Sequence, residues 1–316
     1  MKILVTGANG FIGRALSADL EAKGHEVARA MRSLSGIGAG RGEVAVGDID
    51  EKTDWRAALE GCEAVAHLAG RAHVMRERLA DPLGEFRRIN VGGTLNLARQ
   101  AAALGARRFV FVSSIKVNGE NTTGRPPFSE VDIAAPVDAY AISKWEAEQG
   151  LLAIGRETGM AIARVRPPLV YGPGVKGNFA ALLRWARRNL PLPLDATRNR
   201  RSFVALENLV SFLALCVDLS RADVENRLFL LADGEDVSTT ELLKRLAQAL
   251  GKRPWLLPVP EKALRLTARA LGKAAIAERL LDSLAIDASA ARALGWRPVI
   301  SMADELRKMA EAEPSP

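Results

Sequence analysis

The octapeptide "TGANGFIG" at residues 6–13 constrains this chain more than any other stretch. It directly follows the apolar run "KILV" and opens a helical pattern, "FIGRALSADLEAKG". Three glycines spaced as Gly7, Gly10 and Gly13 between a strand and a helix fit a dinucleotide pyrophosphate loop. Gly7 permits the tight turn, Gly10 lets backbone approach a phosphate, and Gly13 lets helix and strand pack closely. The helix N-terminus adds N–H donors and positive potential.

Strand and helix patterns then alternate. "HEVARAMR", "GEVAVGDI", "AVAHLAG", "RRFVFVSS" and "AIARVRPPLVYG" read as strands. Between them lie "TDWRAALEG", "RRINVGGTLNLARQAAALG" and "VDAYAISKWEAEQGLLAIGRETG", which read as helices closing on glycine. This alternation predicts an α/β, Rossmann-like, doubly wound parallel sheet with its ligand at the strands' carboxyl ends. Residues 1–172 are assigned to the dinucleotide domain, with 200–219 returning to it. Residues 173–199 and 220–316 are assigned to a smaller C-terminal α/β substrate lobe. Ser238 and Glu241 form a capping-box pattern there. The basic amphipathic stretch 261–281 reads as a solvated face of that lobe in preference to a membrane-surface helix.

The N-terminus lacks a basic and then apolar leader pattern. The longest apolar run, "LVSFLALCVDL" at 209–219, is too short to span a bilayer. Cys62 and Cys216 are isolated thiols without metal-ligand spacing, so no metal site is expected and a reducing cytoplasm fits. The net charge of +7 is scattered and aromatics are only 5%, so nucleic acid is not expected as a partner; an anionic small molecule is.

The end of the second strand selects the dinucleotide. NAD sites place a carboxylate there for the ribose hydroxyls. Here stand Ala30, Met31, Arg32 and Ser33, so Arg32 is read as a partner for a 2′-phosphate, and NADP(H) is favoured with NAD(H) left open. Asp48 and Ile49 close the third strand where an adenine edge is read.

Tyr140 and Lys144 stand one helical turn apart, after a strand that ends on Ser113 and Ser114. That brings a hydroxyl, a phenol and an ammonium to the sheet edge that holds the glycine loop. A cation beside the phenol favours phenolate and eases proton exchange with a substrate oxygen.

"TGANGFIG", "HLAG", "INVGGTLNL", "FVSSIKVNG", "YAISK", "RPPLVYGPG", "RRSFVALENL" and "DASAARALGW" together resemble the extended short-chain dehydrogenase/reductase family. The resemblance covers nearly the whole chain. It implies Ser114, Tyr140 and Lys144 as the catalytic triad, with Lys144 also on the nicotinamide ribose. It implies cofactor contacts from Gly7, Asn9, Gly10, Phe11, Ile12, Leu68, Ala69, Gly70, Asn90 and Pro167. Ser114, Lys116, Asn178, Arg201 and Arg279 are the implied substrate residues, with Arg201 on a diphosphate. Ile115 and Lys116 replace the Asp-Glu of the family's dehydratases, which argues against dehydration. Val117, Asn118 and Gly119 replace a common epimerase Val-Tyr-Gly, and Leu169 replaces an asparagine. The segments around these positions look most like reductases of UDP-4-keto-6-deoxy-N-acetylhexosamines, which work in surface-polysaccharide synthesis. The expectation is therefore NAD(P)H-dependent reduction to a UDP-N-acetylquinovosamine-type sugar by a homodimer. The alternatives are a UDP-hexose or UDP-N-acetylhexosamine 4-epimerase and a non-catalytic dinucleotide-sensing protein.

Overall fold

The computed structural model describes residues 1–33, 42–71 and 81–312, apart from the side chains of Asn178 and Arg221. Its strands are β1 (Lys2–Thr6), β2 (Glu26–Met31), β3 (Glu43–Ala45), β4 (Ala64–His67), β5 (Arg108–Val112), β6 (Ala161–Arg166), β7 (Leu169–Tyr171), β8 (Phe203–Ala205) and β9 (Arg227–Leu230). Seven of them pair in parallel in the order β3-β2-β1-β4-β5-β6-β9, while β7 and β8 pair separately. The chain winds outward from β1 in one direction and from β4 in the other. The crevice between them is the place where such sheets bind ligands.

The helices of the first half are α1 (Phe11–Ala22), α2 (Arg56–Leu59), α3 (Pro82–Phe86), α4 (Thr94–Ala103) and α5 (Ala139–Thr158), with a π-helical turn at Arg87–Gly93 joining α3 to α4. The second half adds α6 (Gly177–Arg188), α7 (Leu206–Asp218), α8 (Arg221–Val224), α9 (Thr239–Ala249), α10 (Glu261–Ala270), α11 (Ala274–Leu281), α12 (Ser289–Ala293) and α13 (Met302–Ala312). Successive strand residues face opposite sides of a sheet. Ile3 and Val5 accordingly join a core with Leu16 and Leu20 of α1 and Leu209 and Leu213 of α7. Leu4 joins another with Leu97 of α4 and Leu151 of α5. Both faces are covered, as a doubly wound parallel sheet requires.

Local chemistry sets the ends of α5. The Asp138 carboxylate accepts the Ala141 N–H at 2.7 Å, and Gly159 closes the helix at φ +74° with its N–H on the Gly155 carbonyl. At α9, Ser238 accepts the Glu241 N–H at 3.0 Å, but the Glu241 carboxylate bonds Arg245, so only half of the expected box forms.

Three expectations are corrected. "AIARVRPPLVYG" is two strands, because Pro167 and Pro168 have no N–H to continue a ladder. Strand β3 stops at Ala45, before Gly47 turns at φ +71°, so Asp48 and Ile49 lie in the loop beyond it. Residues 227–230, assigned to the lobe, form β9 of the main sheet, and Ala291 and Trp296 also pack in its core. A separate apolar cluster joins Phe179 and Leu183 of α6, Leu242 and Leu246 of α9, and Leu306 and Met309 of α13.

Candidate active site

The glycine loop leaves β1 at Thr6. Gly7 has φ +65°, and a Cβ there would stand 3.0 Å from the Ala69 nitrogen. At Gly13 it would stand 2.1 Å from the Gly7 carbonyl oxygen, so helix and loop pack without room for a methyl group. No side chain caps α1 and its first turn carries no acid. Asn9 and Gly10 are exposed at that N-terminus, with Phe11 and Ile12 partly buried behind them. This uncapped helix N-terminus behind a glycine turn fits a pyrophosphate.

The adjoining strand end is locked to the loop through a buried chain of hydroxyls and imidazole. Thr6 Oγ1 accepts the N–H groups of Leu68 and Ala69, each at 3.1 Å. Its own proton therefore goes to His67 Nδ1 at 2.7 Å, which leaves His67 Nε2–H to donate to Thr94 Oγ1 at 2.9 Å. Burial, and then the Lys144 charge, push His67 down to about 3, so the imidazole is neutral.

Ser114, Tyr140 and Lys144 converge on the neighbouring strand end. Tyr140 is hydrogen-bonded to Ser114 and packs edge-on against Phe86 at 6.1 Å between ring centroids. Lys144 is buried, donates to the Val112 carbonyl at 2.8 Å and lies 4.3 Å from the centroid of the Phe111 ring. Burial lowers Lys144 to about 8, with Glu148 acting against that shift. The phenol moves opposite to the expected direction. Burial raises Tyr140 to about 12, Ser114 pulls it down and Asp138 raises it, while the Lys144 ammonium is engaged with Val112. The only other tyrosine, Tyr171, is fully buried and donates to Asp233 at 2.7 Å.

The family model described as "NAD dependent epimerase/dehydratase family" matches residues 3–232. The chain belongs to this family. It is 42% identical over 313 residues to a UDP-glucose 4-epimerase from Vibrio cholerae, covering 98% of this chain and 94% of that one. Two solved structures share the fold. The UDP-N-acetylglucosamine 4-epimerase from Bacillus cereus has a TM-score of 0.79 at 20% identity, covering 98% of both chains. RMD from Pseudomonas aeruginosa, complexed with NADPH, has a TM-score of 0.73 at 22% identity, covering 99% of both.

In this epimerase/dehydratase family member several expected ligand contacts are already engaged within the protein. The buried Asn90 amide accepts the Arg71 N–H at 2.8 Å and donates to the Arg71 carbonyl at 3.1 Å and to Ser143 at 3.0 Å. It holds the turn after β4 to α5, and the π-helical turn carries it there. Gly70 abuts it: a Cβ would lie 2.9 Å from Asn90 Oδ1 and 3.8 Å from Lys144 Nζ. The Pro167 carbonyl accepts the Ile115 N–H at 3.0 Å. Lys116 is paired with Asp138 at 2.5 Å and Glu120 at 3.3 Å, which draws its charge toward the cap of α5. Arg201 donates to the Asp282 carbonyl at 2.9 Å, and Arg279 is exposed in the last turn of α11, three residues before Asp282. Asn178 lies in the first turn of α6, and its side chain is outside the described residues.

Arg32 is exposed at the end of β2 and meets Asp48 at 2.9 Å. The expectation that no carboxylate stands at this point is therefore corrected, because the loop after β3 supplies one. Sequence reasoning also missed the brace behind α5. Glu148, wholly buried one turn after Lys144, accepts from Arg166 at 2.9 and 2.5 Å and lies 3.8 Å from Arg164. Arg166 also donates to Asn118 at 2.8 Å, in the segment that follows Ser114. Only the four-residue step from Lys144 to Glu148 could have signalled it. Cys62 and Cys216 are buried and free, and no group of His, Cys, Asp and Glu among the described residues could hold a metal ion.

Proposed function

We propose that this chain is a nucleotide-sugar 4-epimerase acting on a UDP-hexose or UDP-N-acetylhexosamine. The observation that carries the reading is the likeness, over nearly the full length of both chains, to the Vibrio cholerae UDP-glucose 4-epimerase. A bound nicotinamide supplies the acceptor and donor of a hydride at the sugar carbon. The glycine loop and the α1 N-terminus hold its pyrophosphate, and Lys144 holds a ribose. Ser114 hydrogen-bonds the C4 oxygen while Tyr140 takes up and returns its proton. Arg201, which donates to the Asp282 carbonyl at 2.9 Å, keeps further N–H donors for a charge-assisted contact to the substrate diphosphate in this reading. A homodimer in a reducing cytoplasm belongs to the same reading.

A second reading is NAD(P)H-dependent reduction of the 4-keto group of a UDP-linked 6-deoxy amino sugar. The phenol held at about 12 favours it, since a protonated Tyr140 is prepared to donate to a keto oxygen and is a weak base toward an alcohol. Its preference for NADP(H) rests on the exposed Arg32 guanidinium.

One experiment separates the readings. Purified protein is incubated with UDP-glucose and UDP-N-acetylglucosamine without added cofactor, and in parallel with a UDP-4-keto-6-deoxy-N-acetylhexosamine and stereospecifically deuterated NADPH. Interconversion of C4 epimers without net cofactor change supports the epimerase. Stoichiometric NADP⁺ with one deuterium at C4 overturns it in favour of the reductase. Dinucleotide binding without turnover of either substrate rejects both and leaves a sensing protein.

A further inference from the structure

Tyr171 ends β7, where it pairs with Ala205 of β8. Its ring stacks on Phe179 of α6 at 5.3 Å between centroids and 14° between planes. Phe203 of β8 stands edge-on to both rings, at 6.4 and 6.3 Å. All three are buried in the apolar cluster of the smaller lobe. A phenylalanine at 171 would make the same ring contacts. The hydroxyl has a separate use, since a buried O–H is costly without a partner. It leaves the ring cluster to donate to Asp233 Oδ2 at 2.7 Å, in the loop that follows β9 of the main sheet.

Asp233 in turn clasps the segment that carries Arg201. Its carboxylate accepts the Ala205 N–H at 2.9 and 3.1 Å and the Asn208 amide at 2.7 Å, and its own N–H donates to the Phe203 carbonyl at 2.9 Å. Asn208 is wholly buried and is fixed by the backbone of Val299 and Ile300. Four residues after Asp233, Val237 exchanges backbone hydrogen bonds with Arg201, at 3.0 Å in each direction. The stretches 201–205 and 233–237 are therefore antiparallel and pinned at both ends. Arg201 stands at one end of this clasp. At the other, the Tyr171 hydroxyl joins it to the ring that packs on Phe179, next to Asn178 in the first turn of α6. Tyr171 has no exposed surface and cannot meet a ligand itself.

We propose that the Tyr171–Asp233 hydrogen bond is a positioning contact for a nucleoside diphosphate: it fixes the head of α6 against the Arg201 segment and so presents the guanidinium in one place. This role rests on the reading of Arg201 as the diphosphate ligand. Apolar packing of the three rings is non-directional, whereas the hydrogen bond sets a register. A shift of about 1 Å at a positioned group is enough to weaken its directional contacts severely.

The test is isothermal titration of the full chain, saturated with NADH, with UDP. Tyr171→Phe keeps the rings and removes the hydroxyl; it should weaken UDP by at least about fivefold and leave NADH affinity within about twofold of the parent. Arg201→Ala should weaken UDP by at least about tenfold. Adding Tyr171→Phe to Arg201→Ala should cost less than about twofold more, because the phenol acts through that guanidinium. Asp233→Asn can turn its NH₂ toward the phenol oxygen and keep its own oxygen for Ala205 and Asn208, so UDP affinity should stay within about twofold of the parent. A lower Tm in Tyr171→Phe with unchanged UDP affinity makes the bond merely structural and overturns the proposal. So does a full further loss in the Arg201→Ala background, or a loss in Asp233→Asn equal to that in Tyr171→Phe. UDP affinity that Arg201→Ala leaves unchanged overturns the reading of Arg201 and this role with it.

Discussion

Glu148→Gln perturbs the candidate site without touching anything that would contact a ligand. The side chain keeps its shape but loses the charge that Arg166 and Arg164 share. Glu148 is wholly buried, and Arg166 is nearly so. Removing one partner of a buried pair costs about 3 to 5 kcal/mol, because the remaining ion stays out of water uncompensated. For a chain of this size that is on the order of 10 °C in Tm. The second consequence concerns Lys144. Its folded value of about 8 lies below the ordinary 10.5, so the unfolded chain binds more protons between those values and stability rises with pH across that window. Glu148 opposes the lowering, so the Gln variant moves Lys144 below 8 and the window widens downward. Dinucleotide affinity, measured by fluorescence titration from pH 6 to pH 10 or so, should lose its alkaline limb at lower pH in the variant than in the parent. Combining Glu148→Leu with Arg166→Met should recover part of the lost Tm, as replacing a buried pair by apolar groups does, with the remainder lost because Arg164 and Asn118 are left without these partners. A Tm within about 2 °C of the parent, or an unmoved limb, refutes the reasoning. Additive losses in the double variant refute the pairing itself.

Other perturbations read different parts of the molecule. Tyr140→Phe should leave the fold and dinucleotide binding intact and reduce turnover by about 10²- to 10⁴-fold, and a variant keeping more than about a tenth of the parent rate rejects Tyr140 as the proton carrier. Arg32→Ala should weaken NADPH relative to NADH by about tenfold, since it removes a charge-assisted donor and leaves Asp48 facing the 2′-phosphate; isothermal titration showing equal losses for both rules this out. Glu305, wholly buried on α13, is raised to about 7 by burial and then by Glu207. Its folded state holds more protons than the unfolded chain between about 4.5 and 7, so stability falls with pH there. Glu305→Gln should therefore stabilise the protein by about 3 kcal/mol at pH 8 and by little at pH 4.5, and urea unfolding that shows no pH-dependent gain contradicts it.

What was legible in the sequence was what adjacent residues encode. The spacing of Gly7, Gly10 and Gly13 between apolar and helical runs is a local statement, and so is the step from Tyr140 to Lys144. Strand pairing is not. "RLFLL" reads as a strand, but nothing within it says that β9 docks on β6 instead of building the lobe. Asn90 carries an amide that suits a ligand as well as a backbone. Its partners Arg71 and Ser143 are 19 and 53 residues away, so only the fold shows that the protein itself occupies it. Lys116 likewise pairs with Asp138, the cap of a helix that starts much later in the chain, so that partner cannot be read from its neighbours.

The same reasoning bears on the dinucleotide. Searching along β2 for a carboxylate finds none, and that absence argued for NADP(H). Parallel pairing of β2 with β3 brings the following loop back to the strand end, where Asp48 meets Arg32 with both side chains largely exposed. An exposed ion pair of this kind is worth roughly 0 to 1 kcal/mol, so a 2′-phosphate can displace Asp48 from Arg32 at small cost. A ribose diol can equally well donate to Asp48 and leave the pair nearly intact. The strand end thus carries a partner for either dinucleotide, and selectivity in the parent protein should be modest in whichever direction it runs. The choice between epimerisation and reduction therefore falls to the fate of the hydride and the proton at Tyr140, since epimerisation needs the phenol as base and then as acid, whereas reduction needs it only as acid.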